Sequence, residues 1–282
     1  MNAPRIGLAL GGGSARGLAH IPMLEVFDEL GLKPSAIAGC SIGALIGGAY
    51  AAGMSAREIR ERTEMLLNNR IDAMRYVFGA KRTRLRDLLA LRGLASFHIQ
   101  SETLVNLVYP DNLPANIEDL PIPFKAVTTI FDTMTERVLE SGPLVKAVAA
   151  SIAIPGVILG PQIDEHTYVD GGITNPLPFD LIRQDMDIVV AVDVTGRPRP
   201  PASQHYSNME LAIGSLLIMF HQVARLRRTI SPPDIYVEPA LLDFSGGDFF
   251  KPKEMFEAAQ PAKELLKREL DSRVNQWLSG GR

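Results

Sequence analysis

Apolar positions along this chain fall into short continuous runs that alternate with stretches of helical period. Ile6 to Leu10 is an unbroken apolar run that ends in Gly11-Gly12-Gly13, the pattern of a buried strand entering a glycine loop. From Ala15 to Leu30 the apolar residues Leu18, Ile21, Leu24, Val26, Phe27 and Leu30 line one helical face, and Gly31 stops it. Ala36 to Ala38 reads as a second strand, and Ala44 to Ala52 as a helix of small residues. This β-loop-α-β-turn-α order predicts a layered α/β fold with a parallel sheet. Further strands are predicted over Ile122–Phe131, Thr135–Leu139 as its hairpin partner, Thr167–Val169, Ile188–Val194 and Ile235–Val237. Further helices are predicted over Pro143–Ser151, Leu211–Leu226 and Met255–Leu278, the last as one or two helices around Pro261. Ile154–Ile163 and the proline-rich Arg197–Ser203 read as loops. No repeat or long linker divides residues 1–282, which predicts a single domain with a core over about residues 5–260.

Charge changes this picture in one place. Residues 57–92 hold ten Lys/Arg against five Asp/Glu, a local cationic excess in a chain whose net charge is -3. Solvated helix faces account for most such runs. A surface that docks on anionic lipid is the sharper reading, with Leu66, Leu67, Met74, Tyr76, Val77 and Phe78 as a flap or acyl-chain groove. The overall balance gives no reason to expect nucleic acid as a partner. A single cysteine, Cys40, excludes an internal disulfide and fits a reducing compartment. The N-terminus lacks the pattern of a signal peptide, and the longest apolar run, Leu211 to Phe220, is too short for a membrane span. A cytoplasmic protein that meets the inner membrane only at its surface is the expectation.

The chemistry lies in the turns. Gly39-Cys40-Ser41-Ile42-Gly43 is a Gly-x-Ser-x-Gly motif between a predicted strand and a predicted helix, the setting in which it forms a nucleophile elbow. A helix that starts just after Ser41 brings unpaired N–H groups to where an oxyanion would form. The loop Gly11 to Gly17 does not have Rossmann spacing, because the sixth residue from Gly11 is Arg16, and no Lys-Ser/Thr pair makes it a P-loop. Glycines at a helix start offer oxyanion donors instead, from Gly11, Gly12 and Gly13. Arg16 either orients that loop or attracts an anionic substrate group. Ser41 needs a base. None of His20, His98, His166, His205 and His221 occupies a loop after a strand, which disfavours a triad. Asp170 and Asp193 each end an apolar strand, and either is a candidate to take the serine proton directly.

These blocks together resemble the patatin-like phospholipase family, close to its bacterial branch. The carriers are Gly11 through His20, Gly39-Cys40-Ser41-Ile42-Gly43-Ala44 and Ala150-Ser151-Ile152-Ala153-Ile154-Pro155. Two more follow, Tyr168-Val169-Asp170-Gly171-Gly172 and Asn175-Pro176-Leu177-Pro178. The resemblance implies a three-layer α/β/α sandwich with a mostly parallel central sheet. It implies a Ser–Asp dyad of Ser41 and Asp170 without histidine, and an oxyanion hole in Gly11–Gly13. The preference for Asp170 over Asp193 rests on it. Cys40 is a mild departure, since a small hydroxyl residue is commoner there. The implied reaction is hydrolysis of lipid carboxylic esters through an acyl-enzyme, with no cofactor and no metal. An acyltransferase and a non-catalytic lipid-binding protein are the alternative readings of the same scaffold.

Overall fold

A computed structural model describes residues 3–68, 99–196 and 208–280. The elements, in chain order, begin with β1 (Ile6–Leu10), a 3-10 turn (Ser14–Ala19), α1 (His20–Leu30), β2 (Ala36–Cys40), α2 (Ile42–Ala51) and α3 (Ala56–Leu67). Then come β3 (Ile99–Gln100), α4 (Ser101–Val108), β4 (Phe124–Ile130), β5 (Thr135–Leu139), α5 (Leu144–Ser151), β6 (Ile158–Leu159), β7 (Gln162–Ile163) and β8 (His166–Asp170). The chain closes with β9 (Ile188–Val192), α6 (Asn208–Ile230), β10 (Ile235–Val237), α7 (Pro252–Ala258) and α8 (Gln260–Leu278).

The main sheet runs β10-β9-β1-β2-β4-β8-β7, with β5 also paired to β4. Strands β10, β9, β1, β2 and β4 are mutually parallel, and β5, β8 and β7 join in antiparallel fashion. Alternation along the strands separates two faces of different texture. Ile6, Leu8, Leu10, Ile37, Val190 and Val192 point into the larger core with α1, α2, α7 and α8. On the other face Ala9, Ala36, Ala38 and Ala191 are small, so the segment carrying Phe179 and Ile182 and the helix residue Ala224 approach closely. Helices on both sides of a mostly parallel sheet make the three-layer α/β/α sandwich that the family resemblance implies.

Several boundaries shift for identifiable reasons. The first predicted helix opens as a 3-10 turn, and Gly17 within it lies so close to Ile42 that a Cβ would sit 2.1 Å from that side chain. Helix α2 starts at Ile42, two residues before the small-residue run, because it continues directly from the elbow. The loop predicted over Ile154–Ile163 contains β6 and β7, two-residue strands too short to show a period. The C-terminal segment is two helices, with Pro261 in the first turn of α8. The cationic stretch read as a lipid-docking surface lies largely outside the described residues, as do the proline-rich loop, Met74, Tyr76, Val77, Phe78, His98 and His205.

Candidate active site

Strand register brings the site together. Along β4, β2 pairs in parallel up to Cys40 opposite Val127, and β8 pairs antiparallel ending at Asp170 opposite Thr128. Because β5 occupies the other edge of β4 from Ala126 to Ile130, β2 and β8 share one edge and meet end to end. The residue after Cys40 is Ser41, so its side chain and that of Asp170 converge at the meeting point. Ser41 Oγ donates to Asp170 Oδ2 at 2.6 Å. Both are buried, at 5% and 1% exposure.

Ser41 has φ 54° and ψ -124°, a strained conformation for a residue with a side chain. The turn is tight enough that a Cβ on Gly39 would lie 2.6 Å from the backbone of Ala44, and one on Gly43 would lie 2.2 Å from the Leu10 carbonyl oxygen. Helix α2 begins immediately, with Ala44 and Leu45 N–H donating to the Ser41 carbonyl at 2.8 and 3.1 Å. The first N–H groups of that helix therefore face the serine without intrahelical acceptors. This is the geometry of a nucleophile elbow.

Among the described residues the carboxylate of Asp170 accepts two hydrogen bonds, from Ser41 and from the Gly172 N–H at 2.7 Å on Oδ1. Burial raises its pKa from 3.8 to about 6, against the opposing pull of those two donors. The rival, Asp193, is equally deep at 3% exposure but stands at the end of β9, two strands away from β2. Its Oδ1 accepts from the Thr195 N–H at 2.9 Å and hydroxyl at 2.7 Å, and its Oδ2 from Tyr236 at 2.7 Å.

The glycine loop lies against the elbow, with the Cβ position of Gly12 3.3 Å from the Ser41 Cβ. Two of its N–H groups are already engaged: Gly11 donates to the Val192 carbonyl at 3.0 Å and Gly12 to the Pro176 carbonyl at 2.9 Å. Gly13 N–H has no acceptor among the described residues. The Gly11 and Gly12 N–H groups therefore bind the loop to its neighbours. Arg16, 1% exposed, donates to the carbonyls of Val194 (3.4 Å), Phe244 (3.2 Å) and Thr195 (2.6 Å). Its guanidinium is thus buried and held by three backbone carbonyls from outside the glycine loop.

Among the described residues no histidine hydrogen-bonds to Ser41. His20 Nε2 donates to the Gly11 carbonyl at 2.8 Å, and burial lowers its pKa from 6.5 to about 4, so the ring is neutral. His166 pairs with the exposed Asp132. Cys40 beside Ser41 is fully buried, and burial raises its thiol pKa well above the ordinary value, so it offers no thiolate.

One supporting residue had no role in the sequence reading, although its motif was visible there. Ser151, the last residue of α5 and fully buried, accepts from the Ser41 N–H at 2.9 Å and donates to the Val127 carbonyl at 2.5 Å. It ties the strained elbow to β4 and engages the Ser41 N–H. No local signal reveals this, since the partners are 110 residues apart. Among the described residues no His/Cys/Asp/Glu group has the arrangement of a metal site.

The patatin-like phospholipase family pattern matches residues 8–182, which span the glycine loop, the elbow, Ser151 and Asp170. This chain belongs to that family. Among curated relatives, an uncharacterized NTE family protein of Mycobacterium tuberculosis is 35% identical over 212 residues, covering 74% of this chain and 54% of that protein. Human patatin-like phospholipase domain-containing protein 6 is 32% identical over 192 residues, covering 67% of this chain and 13% of that protein. This chain thus matches only about half, or much less, of the length of these relatives. In fold it is similar to VipD of Legionella pneumophila, with a TM-score of 0.50 at 13% identity, over 97% of this chain and 67% of that one.

Proposed function

We propose that this chain is a serine acyl hydrolase of phospholipids, lysophospholipids or related lipid esters, acting as one patatin-like domain. The observation that carries the proposal is the 2.6 Å hydrogen bond from Ser41 Oγ to a buried carboxylate at a strained elbow. A carboxylate whose pKa is near 6 is a far better proton acceptor than one at 3.8. As Ser41 attacks the ester carbonyl, its proton passes to Asp170. In this reading the N–H groups of Gly13 and Ile42 hold the tetrahedral oxyanion, each worth on the order of 3–4 kcal/mol of barrier. Asp170 returns the proton to the leaving alcohol, and water then cleaves the acyl-enzyme with Asp170 again as base. No step calls for a metal or cofactor.

Membership of the patatin-like phospholipase family supports a lipid ester as substrate, and with it contact with a membrane surface. The test is p-nitrophenyl ester hydrolysis by wild type, Ser41→Ala and Asp170→Asn, followed by product analysis on a panel of phospholipids and lysophospholipids. Loss of hydrolysis in both variants is expected. Full activity in either removes the dyad.

A further inference from the structure

Helix α6 leaves one face uncovered. Its exposed positions recur at helical spacing and include Leu211, Ile218, Met219, Leu226 and Ile230, each half exposed or more at 50–76%. Between them on the same face lie Ser215, Gln222, Arg225 and Thr229. From Leu211 to Ile230 this face shows no carboxylate, and Arg225 has no carboxylate partner among the described residues. The stripe runs roughly 29 Å at 1.5 Å per residue. Other exposed apolar residues lie off this helix, Met65 on α3, Phe131 and Met134 in the β4–β5 turn and Leu242 in the loop after β10.

The opposite face of α6 packs beside the site. Phe220 lies against Gly172, where a Cβ would come within 2.4 Å of its ring, and Gly172 N–H holds Asp170. Arg227 fixes the helix further through Asp180 at 2.6 Å and Glu136 at 2.8 Å. At the basic end, His221, Arg225 and Arg228 border an open cleft of about 280 Å³ with Asp193, Tyr236 and Glu238. Arg228 stacks over the Tyr236 ring, and Asp193 is engaged by Thr195 and Tyr236, while Arg225 shares the rim with the exposed Glu238. No helix among the described residues is long and apolar enough to cross a membrane. An apolar helix face that carries no carboxylate of its own and has Arg225 at its edge is the make-up of a helix that lies in a bilayer surface.

We propose that α6 is the membrane-docking element of this protein, seating its Leu211–Ile230 stripe in an anionic bilayer surface beside the Ser41–Asp170 site. The choice of a bilayer as the occupant rests on the lipid-ester reading above, and the two fail separately. The test uses the full chain carrying Ser41→Ala, so that vesicles are not consumed, in flotation with vesicles of phosphatidylcholine alone or mixed with phosphatidylglycerol. Expected are binding to the mixed vesicles and at least about tenfold weaker binding by Ile218→Glu/Leu226→Glu. Arg225→Glu should remove the preference for phosphatidylglycerol. In the Ser41 background, the same α6 changes should leave hydrolysis of p-nitrophenyl butyrate, a soluble ester, unaltered. If the glutamate pair lowers the melting temperature, Ile218→Ser/Leu226→Ser serves in its place. Failure of the parent to bind either vesicle overturns the proposal, as does unchanged binding by the stripe variants. A shift from dimer to monomer in those variants with vesicle binding intact would assign the stripe to a second copy and overturns it too. Vesicle binding with no hydrolysis of any ester would leave the docking helix standing and remove the hydrolase reading.

Discussion

Two buried aspartates close neighbouring parts of one sheet, and only one of them is underpaired. Asp193 at the end of β9 receives three hydrogen bonds, from the Thr195 N–H and hydroxyl and from Tyr236. Asp170 at the end of β8 receives two, and one of those is from the serine itself. Burial is nearly the same, at 3% and 1% exposure, so depth alone does not distinguish them. Pairing does. A fully satisfied carboxylate stabilises the loop that follows it, whereas an undersolvated one keeps an appetite for a proton. The second arrangement costs stability and, in the proposed reaction, makes Asp170 the base.

Exchanging each aspartate for asparagine breaks the comparison most directly. Asp170→Asn should lower kcat/KM for ester hydrolysis by about 10³-fold, as loss of a general base does. Asp193→Asn should leave kcat/KM within a few-fold of wild type, read in the same assay. A loss at Asp193 equal to that at Asp170 would erase the distinction.

Stability should move in opposite directions. Raising the Asp170 pKa from 3.8 to about 6 means that holding it ionised above pH 6 costs the fold about 2–3 kcal/mol. Asp170→Asn should therefore stabilise the protein in urea melts at pH 8. Asp193→Asn weakens charge-assisted bonds to Thr195 and Tyr236 and should destabilise it by about 1–3 kcal/mol.

Ser151→Ala probes how far the elbow depends on its tether. It removes the acceptor of the Ser41 N–H and the donor to Val127, both buried, for a stability loss of about 1–3 kcal/mol. Because it acts on the nucleophile's position, kcat should fall about tenfold with KM little changed. Ser151→Thr, if it keeps the hydroxyl in place, should recover part of the loss.

The smallest effect is a change of slope. Between pH 4 and 6 the folded protein holds a proton on Asp170 that the unfolded chain has released, so Asp170 makes stability fall as pH rises. His20 does the reverse. Its ordinary value of 6.5 drops to about 4 in the fold, so the unfolded chain binds the extra proton and stability falls on acidification from pH 6.5 to 4. The two slopes offset each other in the wild type. In Asp170→Asn the His20 slope stands alone, and denaturant midpoints measured from pH 6.5 to 4 should fall more steeply with acid than in wild type.

Much of this was legible in the residues. Apolar runs stopped by glycines located β1, β2 and the elbow, because a buried parallel strand and a tight turn each leave a strong local mark. Asp170 and Asp193 were not separable locally. Each follows an apolar strand, and what tells them apart is the register that sets β2 and β8 end to end along β4. The role of Ser151 was hidden for the same reason, since its partners come from other strands. Engagement of the Gly11 and Gly12 N–H groups was also invisible, as it depends on Val192 and Pro176, distant in sequence. The stripe on α6 was partly visible as the apolar run Leu211–Phe220. Which of those residues face outward depends on where Phe220 and Ala224 pack.

The central claim is that Asp170 activates Ser41, and the most direct measurement is the rate of Ser41 labelling by a fluorophosphonate as a function of pH. Wild type should label slowly at pH 5, rise through an apparent pKa of about 6 and level off above it, while Asp170→Asn labels at a small, pH-independent fraction of that plateau. Labelling of Asp170→Asn at the wild-type rate with the same pH profile would contradict the account.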